Sequence, residues 1–233
     1  MPDDHDCRQV TTPRITFQWI ENCPNERLRT AQGQLQESVR MIGLEPFVFP
    51  AGPSLVKFTD VLRFARKHAS GNSFVWCNSD VTLTANPYDL DDGLTVRGFH
   101  RREVPSGEIC GGVDMYLIPN SFWDEVLSRD LPDLWCGATH IDWWLTRASA
   151  LAGRYTPHTG YIDHITHPES PASKSVSSSF YRHNIREYNR WARRNGAGLH
   201  ETKISLPIIG KSFSPITDYL RWIFSSKKAN GTP

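Results

Sequence analysis

The first half of the chain alternates short apolar runs with longer amphipathic stretches. Residues 14–20 are a β-branched and aromatic run bounded by polar residues, which predicts a first strand. Over residues 25–43, apolar side chains recur every three or four positions, so a helix is expected there. The same reasoning predicts a second strand over residues 44–49 and a second helix over residues 54–69.

A continuous apolar run follows at residues 73–77 and ends in Asn78, Ser79 and Asp80. Runs of this kind are typical of strands that helices bury on both faces. Alternating strands and helices predict an α/β domain with an open, mostly parallel sheet flanked by helices. Because ligands bind beyond the carboxyl ends of parallel strands, we expect these three residues at a binding edge.

The second half predicts further elements. Two strands are expected over residues 94–99 and 113–118, with residues 100–112 as a basic, glycine-containing loop between them. Helices are expected over residues 122–127 and 142–151.

Composition excludes several classes of protein. With 39% hydrophobic and 22% charged residues in a chain of 233, we expect a folded globular protein rather than a disordered one. We find no apolar stretch of the length that a membrane span needs, and the acidic start is unlike a secretory signal, so a cytoplasmic protein is expected. The cysteines are scattered and odd in number, which favours reduced thiols over disulfides or structural zinc: Cys7, Cys23, Cys77, Cys110 and Cys136.

The charge is unevenly distributed. Residues 1–170 carry a net charge of −7 and residues 171–233 a net charge of +8. We therefore expect one main domain over residues 1–170, which contains the candidate chemistry described below, and a basic helical extension over residues 171–233 that packs on it. Two interpretations of residues 180–194 stay open: an amphipathic helix whose aromatic residues pack inward, or a nucleic-acid surface of arginines and stacking rings. The residues concerned are Tyr181, Arg182, Arg186, Tyr188, Arg190, Trp191, Arg193 and Arg194.

Asp80 is the first candidate for chemistry. A carboxylate at the binding edge suits a hard cation such as Mn²⁺ or Mg²⁺, although Asn, Ser and Asp are equally common in turns after strands. Over about residues 14–168 the chain resembles the GT-A glycosyltransferases. The motifs that carry the resemblance are Arg14-Ile-Thr-Phe-Gln-Trp, Phe74-Val-Trp-Cys-Asn-Ser-Asp-Val81, Gly111-Gly-Val-Asp-Met-Tyr-Leu-Ile-Pro119, Ile141-Asp-Trp-Trp-Leu145 and Tyr161-Ile-Asp-His-Ile-Thr-His167.

The resemblance implies a GT-A fold, a UDP-sugar donor and a divalent cation. It makes Asp80 a metal ligand, with His164 or His167 as a further one, and it places Asn78 where the family's Asp-x-Asp segment has its first acid. A histidine ligand would favour Mn²⁺ over Mg²⁺. Asn78 and Ser79 then belong to the nucleotide-binding segment.

The resemblance also implies roles for other residues. Asp142 is the expected acceptor-activating base, with a helix-capping role as the alternative, and Asp114 is the second candidate. The residues themselves suggest one more role: guanidinium groups just ahead of the glycine turn suit neutralisation of a departing diphosphate, with a solvated loop as the alternative, and they belong to Arg97, Arg101 and Arg102. The nucleobase is expected near Gln18 and Trp19.

The acceptor remains open. The basic extension makes 5-hydroxymethylpyrimidine in DNA one expectation, by similarity to the DNA-modifying glycosyltransferases of phages. A surface polysaccharide or a lipid-linked sugar is the competing acceptor. A protein that binds nucleic acid or nucleotide-sugars without catalysis is the alternative from another class, prompted by Asn78 and the basic end.

Overall fold

The computed structural model describes residues 12–20, 26–51, 56–136, 140–165 and 179–199. The strands are β1 (Arg14–Ile20), β2 (Glu45–Ala51), β3 (Ser73–Cys77), β4 (Thr82–Leu83), β5 (Val96–Val104), β6 (Ile109–Pro119), β7 (Tyr155–His158) and β8 (Ile162–Ile165). The α-helices are α1 (Glu26–Met41), α2 (Phe58–Lys67), α3 (Asn120–Glu125), α4 (Ile141–Leu151) and α5 (Ser179–Arg194). Short 3₁₀ helices cover Pro87–Leu90 and Leu127–Arg129.

The strands form one mixed sheet in the order β2-β1-β3-β6-β5-β8-β4, with β7 also paired to β5. Parallel pairs join β1 to β2 and β3, and join β5 to β7 and β8. Antiparallel pairs join β6 to β3 and β5, and join β4 to β8. The fold is therefore mixed α/β, and the expected mostly parallel sheet is not confirmed.

The β5–β6 hairpin explains this difference. Residues 100–112, predicted as a loop, lie largely within these two long strands, and only residues 105–108 connect them. So short a connection permits only antiparallel pairing, because parallel strands need a crossover of a dozen or more residues. Register shifts on both sides of His100 interrupt the pairing of β5 with β6.

Two apolar clusters cover the two faces of the sheet. In β3, the side chain of Trp76 belongs to one cluster and those of Val75 and Cys77 to the other, so this strand is buried on both sides as its apolar run predicts. Helices α2, α4 and α5 contribute to the first cluster, and α1 contributes Leu35 and Val39 to the second. The core therefore holds β3 rigidly at the centre of the sheet.

Helix α5 packs by its aromatic side. Tyr188 is fully buried and Trp191 is 4% exposed, and both join the cluster that contains Trp144. The interpretation as an amphipathic helix is therefore confirmed, and these two rings are not available to stack on nucleobases. Arg186 and Arg193 lie on the exposed side.

Helix α5 belongs to the same compact unit as the sheet. Residues 166–178 and 200–233 lie outside the described residues, so the domain division near residue 170 stays a prediction. Within the described ranges, no helix has both the length and the apolar character needed to cross a bilayer. The described cysteines are free thiols.

Candidate functional site

The candidate site lies where β3, β5 and β8, which run in one direction, approach their carboxyl ends beside the start of β6. Asn78 follows β3 directly, and its backbone N–H donates to the carbonyl oxygen of Asp114 at 2.8 Å. Its side-chain amide donates to the Asp114 carboxylate. An aspartate at position 78 would bring two carboxylates into contact, which disfavours ionisation of both. Asn78 therefore acts as a neutral donor that holds Asp114 in place.

Asp80, two residues after Asn78, faces His164 on β8. The Nε2 atom of His164 lies 3.6 Å from Oδ2 of Asp80. On its other side, Nδ1 of His164 lies 2.8 Å from Oε2 of Glu103. His164 is 5% exposed, so its ring is held between the two carboxylates.

Arg101 joins this group to Asp114. Its Nε donates to Oε1 of Glu103 at 2.6 Å, and its Nη1 donates to Oδ2 of Asp114 at 3.2 Å. Polar contacts therefore link Asp80 through His164, Glu103, Arg101 and Asp114 to Asn78. Because Asn78 and Asp80 are two residues apart, the chain of contacts closes on itself, and we call these six residues the edge cluster.

Asp142 lies beside the edge cluster, near the start of α4. The helix begins at Ile141, so Asp142 is its second residue and not the N-cap. The backbone N–H groups of Trp143 and Val113 lower the pKa of its carboxyl group, against the larger effect of burial. The hydroxyl of Tyr116 donates to its backbone carbonyl oxygen at 2.8 Å, which fixes the start of α4 against β6.

The glycine turn leaves room next to Asp142. A Cβ atom built on Gly112 would lie 4.0 Å from Oδ2 of Asp142 and 3.9 Å from Sγ of Cys110. Both side chains therefore border the same small space. Trp143, the next residue of α4, is 41% exposed, whereas Trp144 is 1% exposed.

Burial and neighbouring charges shift the pKa values of three groups in the site. Burial raises the pKa of Asp142 to about 6, and the charge of Asp114 adds to this effect. Burial also raises the pKa of Asp114, although the Arg101 guanidinium opposes the shift. The Asp80 carboxylate raises the pKa of His164, with a further contribution from Glu103. Such perturbed groups in one place are typical of functional sites.

Asp80 and His164 fit a hard divalent cation as two of its ligands. Two ligands that each lie about 2.1 Å from one cation are about 3.0 Å apart when adjacent and about 4.2 Å apart when opposite. The observed 3.6 Å between Nε2 and Oδ2 falls between these limits. No three His, Cys, Asp or Glu side chains among the described residues converge on one point. Mg²⁺ commonly takes one or two carboxylates from a protein and completes its shell with water and substrate phosphates.

Other predicted residues lie elsewhere. Arg97 sits near the start of β5 opposite Leu117, away from the edge cluster, and forms an ion pair with Asp92 at 2.7 Å. Arg102 is bound by Asp163 through two hydrogen bonds of 2.8 Å. Of the three predicted arginines, Arg101 alone contacts other residues of the edge cluster.

Four other residues were predicted to contact the nucleotide or the cation. Ser79 is half-buried in the turn between Asn78 and Asp80. Gln18 and Trp19 occupy the end of β1, but their side chains are not among those described. His167 lies outside the described residues. The roles expected for these four residues stay predictions.

Sequence reasoning missed Glu103 and Cys110. Both were assigned to a loop, where a charged residue or a thiol has no defined direction. The signal that was available is the Pro105-Ser-Gly107 turn, which marks residues 100–112 as a hairpin. In a strand, residues two apart share a face, so Arg101 and Glu103 would then have been expected side by side.

No protein family matches the sequence, and no curated protein matches it. The chain is similar in structure to a glycosyltransferase involved in the glycosylation of the major capsid of PBCV-1 (15% identity, 75% of this chain and 99% of that one, TM-score 0.40). It is also similar to a mutant of Drosophila beta-1,4-galactosyltransferase 7 in complex with manganese, UDP-Gal and xylobiose (11% identity, 82% of each chain, TM-score 0.49). A third similar structure is S. aureus TarS in complex with UDP-GlcNAc (9% identity, 92% and 79% of the two chains, TM-score 0.49).

Proposed function

We propose that this protein is a glycosyltransferase that moves a sugar from a nucleotide-diphosphate-sugar, such as a UDP-sugar, to an acceptor hydroxyl. The observation that carries the proposal is the position of Asp142, a carboxylate with a raised pKa, beside the edge cluster that contains Asp80 and His164. The resemblance of the sequence motifs to GT-A glycosyltransferases supports the same reaction.

Charge supports a requirement for a cation. Four carboxylates meet at or beside the edge cluster, those of Asp80, Glu103, Asp114 and Asp142, against the guanidinium of Arg101 and the imidazole of His164. A diphosphate would be repelled by this group of side chains. Asp80 and His164 would hold a divalent cation, which would supply charge neutralisation for the diphosphate and for the negative charge that develops as it departs.

Asp142 is the preferred general base. Its pKa of about 6 leaves it ionised at neutral pH and still basic enough to accept a proton from the acceptor hydroxyl. The acceptor oxygen then bonds to the anomeric carbon as the bond from that carbon to the diphosphate oxygen breaks. Asp114 is engaged by Asn78 and Arg101, so we assign it the orientation of substrate hydroxyls.

Asn78 does not argue for a protein without catalysis. The amide holds the Asp114 carboxylate, and this arrangement explains why a neutral side chain stands there. His167 as a further ligand, Gln18 and Trp19 as contacts for the nucleobase, and Arg97 and Arg102 as contacts for the leaving group remain subsidiary proposals.

For the acceptor, we keep 5-hydroxymethylpyrimidine in DNA as the specific proposal, with a surface polysaccharide or a lipid-linked sugar as the competing one. The exposed Arg186 and Arg193 on α5 suit phosphate contacts, whereas the buried Tyr188 and Trp191 leave backbone charge, rather than base stacking, as the basis for binding. A salt titration with duplex DNA tests this acceptor, because binding through phosphates must weaken as salt rises.

The reaction is tested by incubating the protein with a panel of UDP-sugars, with Mn²⁺ and with a chelator, and measuring released UDP. We expect turnover with Mn²⁺ and a loss of at least about 100-fold in Asp80→Asn and His164→Ala, since charge stabilisation at the diphosphate is usually the largest single contribution. Asp89→Asn, which changes an exposed carboxylate in the 3₁₀ helix Pro87–Leu90, serves as the control. Absence of turnover for every donor under both conditions would overturn the proposal in favour of a binding protein.

A further inference from the structure

Glu103 connects His164 and Arg101 within the edge cluster. Its position on β5 pairs in register with His164 on β8, so the two side chains are direct neighbours across parallel strands. One carboxylate oxygen lies 2.8 Å from Nδ1 of His164 and the other accepts from Nε of Arg101 at 2.6 Å. The Glu103 side chain is 14% exposed, so little water competes for either contact.

This arrangement determines which nitrogen of His164 is available. A neutral imidazole carries one N–H, and a carboxylate at Nδ1 stabilises the tautomer that places the proton there. The lone pair is then on Nε2, the atom that faces Asp80. Histidine ligands of metals commonly donate their second ring N–H to a carboxylate in this way, and the partner raises the basicity of the ligand.

Glu103 is not itself placed as a ligand. Its two oxygens are directed at His164 and Arg101, and the Asp80 carboxylate lies on the opposite side of the imidazole ring. Through Arg101, the same carboxylate is also connected to Asp114. Glu103 therefore fixes the orientation of His164 and the position of the guanidinium together.

We propose that Glu103 is the positioning residue of the cation site: it holds His164 with Nε2 directed at the cation, and so sets the affinity for the divalent ion that binds with the donor diphosphate. The inference rests on the proposed function, since it assumes that Asp80 and His164 hold the cation. It adds a specific partner for His164 and a reason for the Glu103–His164 pair.

The test measures cation binding directly. Mn²⁺ is titrated into protein that contains UDP, and free Mn²⁺ is followed by its electron paramagnetic resonance signal. The variants are Glu103→Gln, His164→Ala and the double variant. Glu108→Gln, an exposed glutamate on the same hairpin, is the matched control. Thermal melting of each variant reports whether the fold is intact.

We expect Glu103→Gln to raise the dissociation constant for Mn²⁺ about 10- to 100-fold, the usual effect of removing such a partner, while Glu108→Gln changes nothing. Because Glu103 acts through His164, the double variant should bind no more weakly than His164→Ala alone. If Glu103→Gln does not fold, Glu103→Asp withdraws the carboxylate from the ring and should show the same loss.

Results of two kinds would overturn the inference, and the titration distinguishes them. Unchanged Mn²⁺ affinity in a folded Glu103 variant, or losses that add in the double variant, would refute the positioning role and leave the proposed function standing. A wild-type protein that binds no Mn²⁺ in the presence of UDP would refute the cation site and the positioning role together.

Discussion

The Asp142 carboxylate lies close enough to Asp114 for the charge of Asp114 to raise the pKa of Asp142, in addition to the larger effect of burial. The ionised form of Asp142 is therefore costly to the folded protein. The proposed base is held in a form that reacts readily but destabilises its surroundings, and activity and stability should respond in opposite directions when its charge is removed.

The substitution Asp142→Asn tests whether activity and stability respond in opposite directions. We expect sugar transfer to fall by about 10²- to 10⁴-fold, the range for loss of a general base. At pH 7.5 the variant should be more stable than the wild type by about 1 to 2 kcal/mol, because it removes a carboxylate whose ionisation opposes folding. Released UDP and thermal melting measure the two effects. A variant that is both inactive and less stable at this pH would contradict the expectation.

The pH dependence follows from the same pKa. Since the base must be ionised, kcat/KM should rise as pH increases through about 6 and level off above about 7. For stability the sign is opposite: the folded state binds the proton more tightly than the unfolded chain, so this stabilisation is complete below about pH 4 and is lost as pH rises through about 6. The stability gain of Asp142→Asn should therefore vanish near pH 4, which melting curves at both pH values can check.

Gly98 provides a test of the packing of β5. A Cβ atom there would lie 2.7 Å from Cε2 and 2.9 Å from Cζ of Tyr155, so the ring covers the strand where a side chain would stand. We expect Gly98→Ala to destabilise the protein by about 1 to 3 kcal/mol, as overpacking does in other cores. Gly71→Ala is the control, because a Cβ atom built at Gly71 meets nothing within 4 Å. Equal melting temperatures for the two variants would refute the close approach.

Two substitutions in helix α5 test its packing and its surface charge separately. Trp191→Ala should cost about 3 to 5 kcal/mol of stability, since the ring is buried against Trp144 at a centroid distance of 6.4 Å. Arg193→Ala should change stability by no more than about 0.5 kcal/mol, because its side chain is exposed. If DNA binds here, the same substitution should weaken duplex binding and lower its salt dependence. Unchanged DNA affinity in Arg193→Ala would exclude this residue from the contact.

The predictable part of the fold is the part with strong hydrophobic patterning. The run at residues 73–77 correctly placed a buried strand with Asn78 and Asp80 at its end, because the consecutive apolar residues from Phe74 to Cys77 are typical of a strand covered on both faces. Helices α1, α2 and α4 were predicted from their apolar period within a few residues of their observed ends, and α5 was one of two interpretations of residues 180–194.

The unpredicted part depends on strand pairing. β5 carries His100, Arg101, Arg102 and Glu103, and this run of polar residues hides the alternation of a strand. β4, β7 and β8 are four residues or fewer, too short for a periodic signal. Glu103 gained its role only from the pairing of β5 with β8. Local patterning does not determine that pairing, so neither the mixed sheet nor the edge cluster was predictable in full.

The short length of strand β8 determines which part of the candidate site is lost first on heating. It spans four residues, lies next to the last strand in the sheet order, and contributes His164. Elements with few backbone bonds near a sheet margin open at a lower free energy than central strands such as β3. Gentle warming should thus withdraw the imidazole from the proposed cation site reversibly, well before the central sheet melts.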